Sequence, residues 1–234
     1  MIIFVPAYDD ATSANLAVAQ DLQVTKSIAC LNTHTGNATP VIPPQDHCLL
    51  ANNAIRSALV TALNKYPDPL FAMSHGKPDY LSAQHGKIAL NKSDTAALGN
   101  RTVFAFACHT SASLGRDLAQ SGITWWGYIK EITAPDQQFP IRPLFVKIFC
   151  YIYDSFSTAT SSSARLAIIQ NIKQLCDSAE TEIDELAAAD KSLDVLEAHQ
   201  SLRDIWLVLR VWAPQAESAE QHASAPDILP RWWF

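Results

Sequence analysis

The sequence predicts an α/β fold: a mostly parallel sheet flanked by helices, with a helical C-terminal extension. Three observations predict it. Short apolar runs alternate with segments of helical spacing, the pattern of strands joined by crossover helices. The run Val103 to Ala107 is apolar throughout, which suits a strand buried on both faces. After about residue 136 the strand-like runs give way to long amphipathic stretches.

In chain order, "MIIFV" reads as a first buried strand, and "ATSANLAVAQDL" follows with Leu16, Ala19 and Leu22 at helical spacing. "KSIACL" reads as a second strand, and "NTHTGNATPVIPPQDH" as a long loop by its Gly, Pro and Asn content. "LLANNAIRSALVTALNKY" reads as a helix with Ile55, Leu59 and Leu63 on one face, broken at Asp68-Pro69. "LFAMSHGK" is a short apolar run that ends in His75-Gly76, and "YLSAQHGKIALNKSD" reads as a hairpin turning at His85-Gly86. "TVFAFAC" is the next strand. "SASLGRDLAQSG" reads as a short helix capped by Ser111 and closed by Gly122, and "ITWWGYIKEI" as a further strand.

The boundary between the α/β part and the extension is placed after residue 135. In the extension, residues 154–163, "DSFSTATSSS", read as a mobile linker. Leu166, Ile169, Ile172, Cys176, Ala179, Ile183 and Leu186 form the stripe of a long helix, and a second helix is expected over Ser192 to Trp212. The tail ends "ILPRWWF", an aromatic cluster expected to dock on the body or to bind a partner.

Composition narrows the function classes. The 234 residues include 48% hydrophobic types, ample core for one domain with an appendage. A net charge of −6 argues against tracking a phosphate backbone, so no nucleic acid is expected as a partner. No basic segment precedes the apolar Met1 to Val5, so no secretion signal is read. The longest apolar stretch, Leu144 to Tyr153, carries Lys147 and is too short to span a bilayer. The five cysteines, Cys30, Cys48, Cys108, Cys150 and Cys176, are odd in number and show no C-x-x-C spacing. Free thiols in a reducing cytoplasm are the simplest reading.

Two apolar runs end alike: one delivers His75-Gly76 and the other Ala107-Cys108, 33 positions further on. In an open α/β sheet the carboxyl ends of the strands share one edge, where ligand sites gather. If the two strands are parallel neighbours about 4.8 Å apart, the imidazole and the thiol face one cleft. The chemistry suits that pairing. The thiolate is the nucleophile, and an imidazole can take the thiol proton and later give it to a leaving amine. A helix beginning near Ser111 is expected to favour the thiolate through its N-terminal dipole. The backbone N–H groups of Gly76 and Cys108 are candidates to hold an oxyanion.

A hydrophobic block ending in His-Gly, followed by one ending in Ala-Cys, resembles the caspase-like cysteine peptidases: caspases, separases, gingipains and the bacterial CHAT-domain proteases. "ACHTSASLGRDLAQSGITWWGYIKEI" is most similar to the CHAT type. The resemblance covers roughly residues 1–135 and implies a caspase-like catalytic domain there. It implies His75 as the catalytic histidine, Gly76 as the oxyanion glycine and Cys108 as the nucleophile. The chain has Phe106-Ala107-Cys108 where animal caspases have Gln-Ala-Cys, so a preference for Asp is not carried over. The implied activity is that of a cysteine endopeptidase acting on a protein substrate through a thioester. The implied setting is a gated bacterial effector with a regulatory protein partner. No metal or organic cofactor is needed for this chemistry, though some relatives use calcium.

Bland readings stand beside these. A cysteine ending a buried strand is most often a small core residue, and the paired His-Gly block is what lifts Cys108 above that. His85-Gly86 is the rival pair, but it follows polar residues and reads as a turn. His109 reads as a rim residue, and Cys30, Cys48, Cys150 and Cys176 as packing residues. Asp46-His47-Cys48 is a weak metal signal without a partner pair. Glu131 or Asp136, in or after the strand that follows Cys108, would favour basic residues before the cut if it lines that pocket. The alternatives to a peptidase are a catalytically inactive caspase-fold interaction module and a metal-dependent hydrolase using His75, His85 and His109.

Overall fold

In the computed structural model, which describes residues 1–33 and 47–227, the chain opens with β1 (Ile2–Val5) and α1 (Asp10–Thr33). Helix α1 absorbs "KSIACL", expected as a strand, because no Gly or Pro between Leu22 and Leu31 stops it. The second strand is β2 (Cys48–Leu50), at the front of a stretch expected to be wholly helical; α2 (Arg56–Lys65) begins only after it. Most of the long loop expected before β2, and the tail "ILPRWWF", lie outside the described residues, as does the packing expected of Cys30.

Strand β3 (Leu70–Met73) leads into a small antiparallel sheet of β4 (Gly76–Lys77), β5 (Tyr80–Ser82) and β6 (Ile88–Asn91). Next come α3 (Thr95–Leu98), β7 (Thr102–Phe106), α4 (Leu114–Ala119) and β8 (Thr124–Tyr128). Helices α5 (Arg142–Ser155), α6 (Ser162–Ala189) and α7 (Leu196–Leu207) precede β9 (Leu209–Trp212). The main sheet has the order β2-β1-β3-β7-β8-β9. It is parallel except for β9, which pairs antiparallel with β8 from Trp125↔Trp212 to Tyr128↔Leu209. The chain is therefore α/β, with a mostly parallel six-stranded sheet flanked by helices.

The helix expected to reach Trp212 thus ends at Leu207. Past it, Val208, Val211 and Trp212 are strand-favouring residues, and β8 offers an open edge for them to pair with. Residues on both sides of position 135 share one core, in which Val5, Phe71 and Phe104 meet Phe145, Phe149, Ile169 and Val211.

Strand β7 is buried on both faces, as its composition predicts. Val103, Ala105 and Ala107 pack with Leu59, Leu63 and Leu118, while Phe104 and Phe106 pack with Phe149 and Ile172. The stripe on α6 is buried from Ile169 to Ile183, but Leu166 is exposed. Arg165 takes the inward position instead, one turn before Ile169, and its guanidinium grips Glu220 through two bonds of 2.7 Å.

Of residues 154–163, expected as a mobile linker, the first two end α5, the last two begin α6, and the turn between them is tied to the core by one aromatic side chain. Phe156 is fully buried, with its ring 5.9 Å from Phe104 and 6.2 Å from Phe71. The small polar residues around it are helix caps: the Ser161 hydroxyl accepts from the Ala164 amide at 3.2 Å to start α6. Among the described residues no helix is long and apolar enough to cross a membrane.

Candidate active site

Strands β3 and β7 are parallel neighbours in register from Leu70↔Val103 to Met73↔Phe106. The Ser74 amide continues the ladder by donating to the Phe106 carbonyl at 3.0 Å. His75 and Cys108 each lie two residues past the last paired position of their strand, so both leave the sheet at its carboxyl edge. The two strand ends press together there. A Cβ on Gly76 would collide with the Cys108 carbonyl oxygen and the Thr110 methyl. The chain then turns away into the small sheet and anchors His75 from behind. The Ser82 amide donates to the His75 carbonyl at 2.9 Å, and the Ser74 hydroxyl donates to the Ser82 carbonyl at 2.7 Å.

A residue that the sequence reading missed joins this pair. Past β1, the strand beside β3, Asp9 brings Oδ2 within 2.7 Å of His75 Nε2. Its other oxygen, Oδ1, accepts from the Thr12 amide at 2.9 Å and the Thr12 hydroxyl at 2.7 Å. One oxygen thus caps the start of α1, and the other faces the imidazole. Burial pushes the Asp9 carboxyl up, but the bonds from Thr12 and His75 outweigh it and hold the group below its ordinary value. A carboxylate on Nε2 keeps that nitrogen protonated and leaves Nδ1 as the basic one. The Tyr8 ring lies 5.8 Å from that of His75. The available sequence signal was the Asp9-Asp10 pair just past the first strand; Asp9-x-x-Thr12 also reads as an ordinary helix start.

Cys108 is half-buried. Its Sγ accepts from the Ile132 amide at 3.4 Å and faces the Ile132 carbonyl at 3.8 Å. Burial pushes the thiol above its ordinary value; the Ile132 amide pulls it down, and Glu131 and Asp204 push it further up. The thiolate expected from a helix dipole is therefore not favoured in this arrangement. Helix α4 begins at Leu114, has only 6 residues, and is not capped by Ser111, whose hydroxyl donates to the Arg210 carbonyl at 3.2 Å. A dipole acts mainly within a helix's own first turn.

His85 sits on an exposed turn at φ 61°, with its ring 6.4 Å from that of Tyr8. His109, at φ 60°, has Nε2 4.0 Å from Glu131, whose side chain is 90% exposed. Asp136 lines a cavity of about 330 Å³ together with Asp10, Thr133, Asp194 and Glu197; Glu131 does not line it. Cys176 is fully buried, Cys48 and Cys150 are half-buried, and burial pushes all three thiols up. The His47 ring packs edge-on against Tyr66 at 3.7 Å; Asp46 lies outside the described residues. Among the described residues no group of three or more His, Cys, Asp or Glu side chains is placed to hold a metal ion, so His75, His85 and His109 do not form a ligand set.

No family model, curated protein or solved structure matches the chain.

Proposed function

We propose that the protein is a caspase-like cysteine endopeptidase, nearest in kind to the bacterial CHAT-domain proteases, that works as a gated effector on a protein substrate. The observation that supports this reading is the register of β3 and β7, whose carboxyl ends lead to His75 and Cys108 at one sheet edge, with Asp9 on the imidazole. Cys108 Sγ attacks the scissile carbonyl carbon as the thiol proton passes to His75 Nδ1. The amide N–H groups of Gly76 and Cys108 hold the oxyanion. His75 then protonates the leaving amine, the C–N bond breaks and a thioester remains. Water, deprotonated by His75, hydrolyses the thioester and releases the acid and the free thiol.

A non-enzymatic interaction module is the second reading, favoured by the Ile132 backbone lying on Sγ. A peptidyl acyloxymethyl ketone separates the two, because it alkylates only a thiol that can attack from within a substrate cleft. Mass-spectrometric mapping is expected to find the label on Cys108. Label confined to Cys48 or Cys150, or none at all even in Ile132→Gly, removes the peptidase reading.

The preference before the cut is assigned to a neighbouring cavity. Asp136 lines an acidic cavity together with Asp10, Asp194, Glu197 and Thr133, the residue after the one that touches Cys108. Lys or Arg is expected at that substrate position, and Asp136→Asn is expected to weaken the preference. A positional peptide library checks this. Indifference to Lys and Arg removes Asp136 from the pocket.

A further inference from the structure

A nucleophilic sulfur must come within about 3–3.5 Å of the carbon it attacks. On one side of Cys108 Sγ that distance is occupied by the amide of Ile132 at 3.4 Å, with its carbonyl at 3.8 Å. The segment that carries Ile132 has no regular secondary structure over residues 131–136. It is a strap tied at a few points. At one end the Lys130 carbonyl accepts from the His109 amide at 3.1 Å. At the other, both backbone groups of Thr133 are tied to a single turn of α7. The Thr133 amide donates to Asp204 Oδ2 at 2.9 Å, and the Ser201 hydroxyl donates to the Thr133 carbonyl at 3.1 Å.

The two anchors on α7 are themselves well fixed. Ser201 is 0% exposed and Asp204 7% exposed, and the Gln200 side chain donates to Asp204 Oδ1 at 2.8 Å. Ser201 and Asp204 are three positions apart, so they present one patch of the helix to the strap. The strap itself is lightly bedded. Ile132 is half-buried against the main core, and Glu131 before it is exposed.

From this we infer that residues 130–134 are an autoinhibitory strap that α7 holds closed over Cys108 through Asp204 and Ser201. The inference rests on Cys108 being the reactive thiol of the proposed peptidase and names how that thiol is regulated. The closed state described here is the resting state, and α7 is the element through which the thiol is released. A substrate can engage Cys108 only after Thr133 leaves α7.

Iodoacetamide alkylation of the full chain tests this without requiring catalysis, so a failed cleavage assay leaves the result readable. The readout is the labelling rate of Cys108 divided by that of Cys176, which is 0% exposed and reports opening of the core. Two variants are compared with the wild type. Ser201→Ala/Asp204→Ala frees Thr133 from the helix side, and Ile132→Gly loosens the strap without touching α7. The ratio is expected to rise about tenfold or more in both, and tenfold corresponds to about 1.4 kcal/mol of lost closure. An unchanged ratio overturns the strap. A lower ratio also overturns it, and assigns the Ile132 amide to supporting the thiolate. If the double variant opens its core, both rates rise together, and the ratio in Ile132→Gly decides by the same criterion.

Discussion

Cys108→Ala is expected to abolish the proposed peptidase activity, because it removes the sulfur assigned to the thioester. His75→Ala is expected to lower the rate by about 10²- to 10⁴-fold, the usual worth of a positioned acid–base group. Asp9→Ala should also lower the rate, by up to about 10⁴-fold, the usual cost of removing a carboxylate that orients a catalytic imidazole. Asp9 does not touch the reacting atoms; it acts through His75, so its effect should fall on kcat more than on KM. The pH profile separates this from a merely structural role. The Asp9 carboxyl is held below its ordinary value, so it stays ionised from neutral pH down to and below the usual carboxylate range near 4. Its contribution, to the site and to folding alike, is present above that range and lost as pH falls through the lowered value. In Asp9→Ala the rate therefore drops at neutral pH, and the acid-side loss that reports Asp9 disappears. His85→Ala is expected to keep most activity, since His85 sits on an exposed turn. Kinetics on a fluorogenic peptide check all four variants, and an inactive His85→Ala beside an active His75→Ala would falsify the assignment.

That β3 and β7, the runs that lead to His75 and Cys108, are parallel neighbours was legible because it depends on two features that a sequence records directly. Each residue ends a run too apolar to lie anywhere but inside the sheet, and parallel neighbours need only a crossover between them. The small sheet turning at His85-Gly86 was legible for a similar reason, since Gly86 takes the left-handed conformation that a tight turn requires. Other features depend on which edges and faces meet in space. "IWLVLRVW" carries no Gly or Pro, so nothing local marks the change from α7 to β9; the open edge of β8 makes that choice. Phe156 is one aromatic residue in a Ser- and Thr-rich segment, yet its burial against Phe71 and Phe104 decides that the segment is docked. Asp9 and the strap were hidden for the same reason. A carboxylate just past a strand end is usually solvated, and the contact of Ile132 with Cys108 joins segments 24 residues apart, as does the tie of Thr133 to α7 across 71.

Gly76→Ala is expected to be the most damaging single-methyl change near the site. The φ of Gly76 is not in the left-handed region, so the objection to alanine is space and not conformation. A Cβ there meets the Cys108 carbonyl oxygen, the Thr110 methyl and, at 3.0 Å, the Ala107 Cβ. None of these yields easily. The first is backbone, and Ala107 and Thr110 are both 0% exposed. Thr110 is further pinned by its hydroxyl, which donates to the Ala107 carbonyl at 3.0 Å. The ends of β3 and β7 must therefore part, carrying His75 away from Cys108. Overpacking of this kind costs about 1–3 kcal/mol of stability. A shift of about 1 Å in a reacting pair can cost about 10²-fold in rate. Gly86→Ala is the control. It forces a side chain into φ +70°, with only the Tyr8 hydroxyl nearby at 3.8 Å, so it should lose a comparable 1–2 kcal/mol or so through the backbone alone. Thermal unfolding and peptide cleavage, measured on both variants, separate strain from misplacement. Gly76→Ala should lose about 100-fold in cleavage and Gly86→Ala little. Equal losses in cleavage would mean that instability, and not the spacing of the two strand ends, sets the rate.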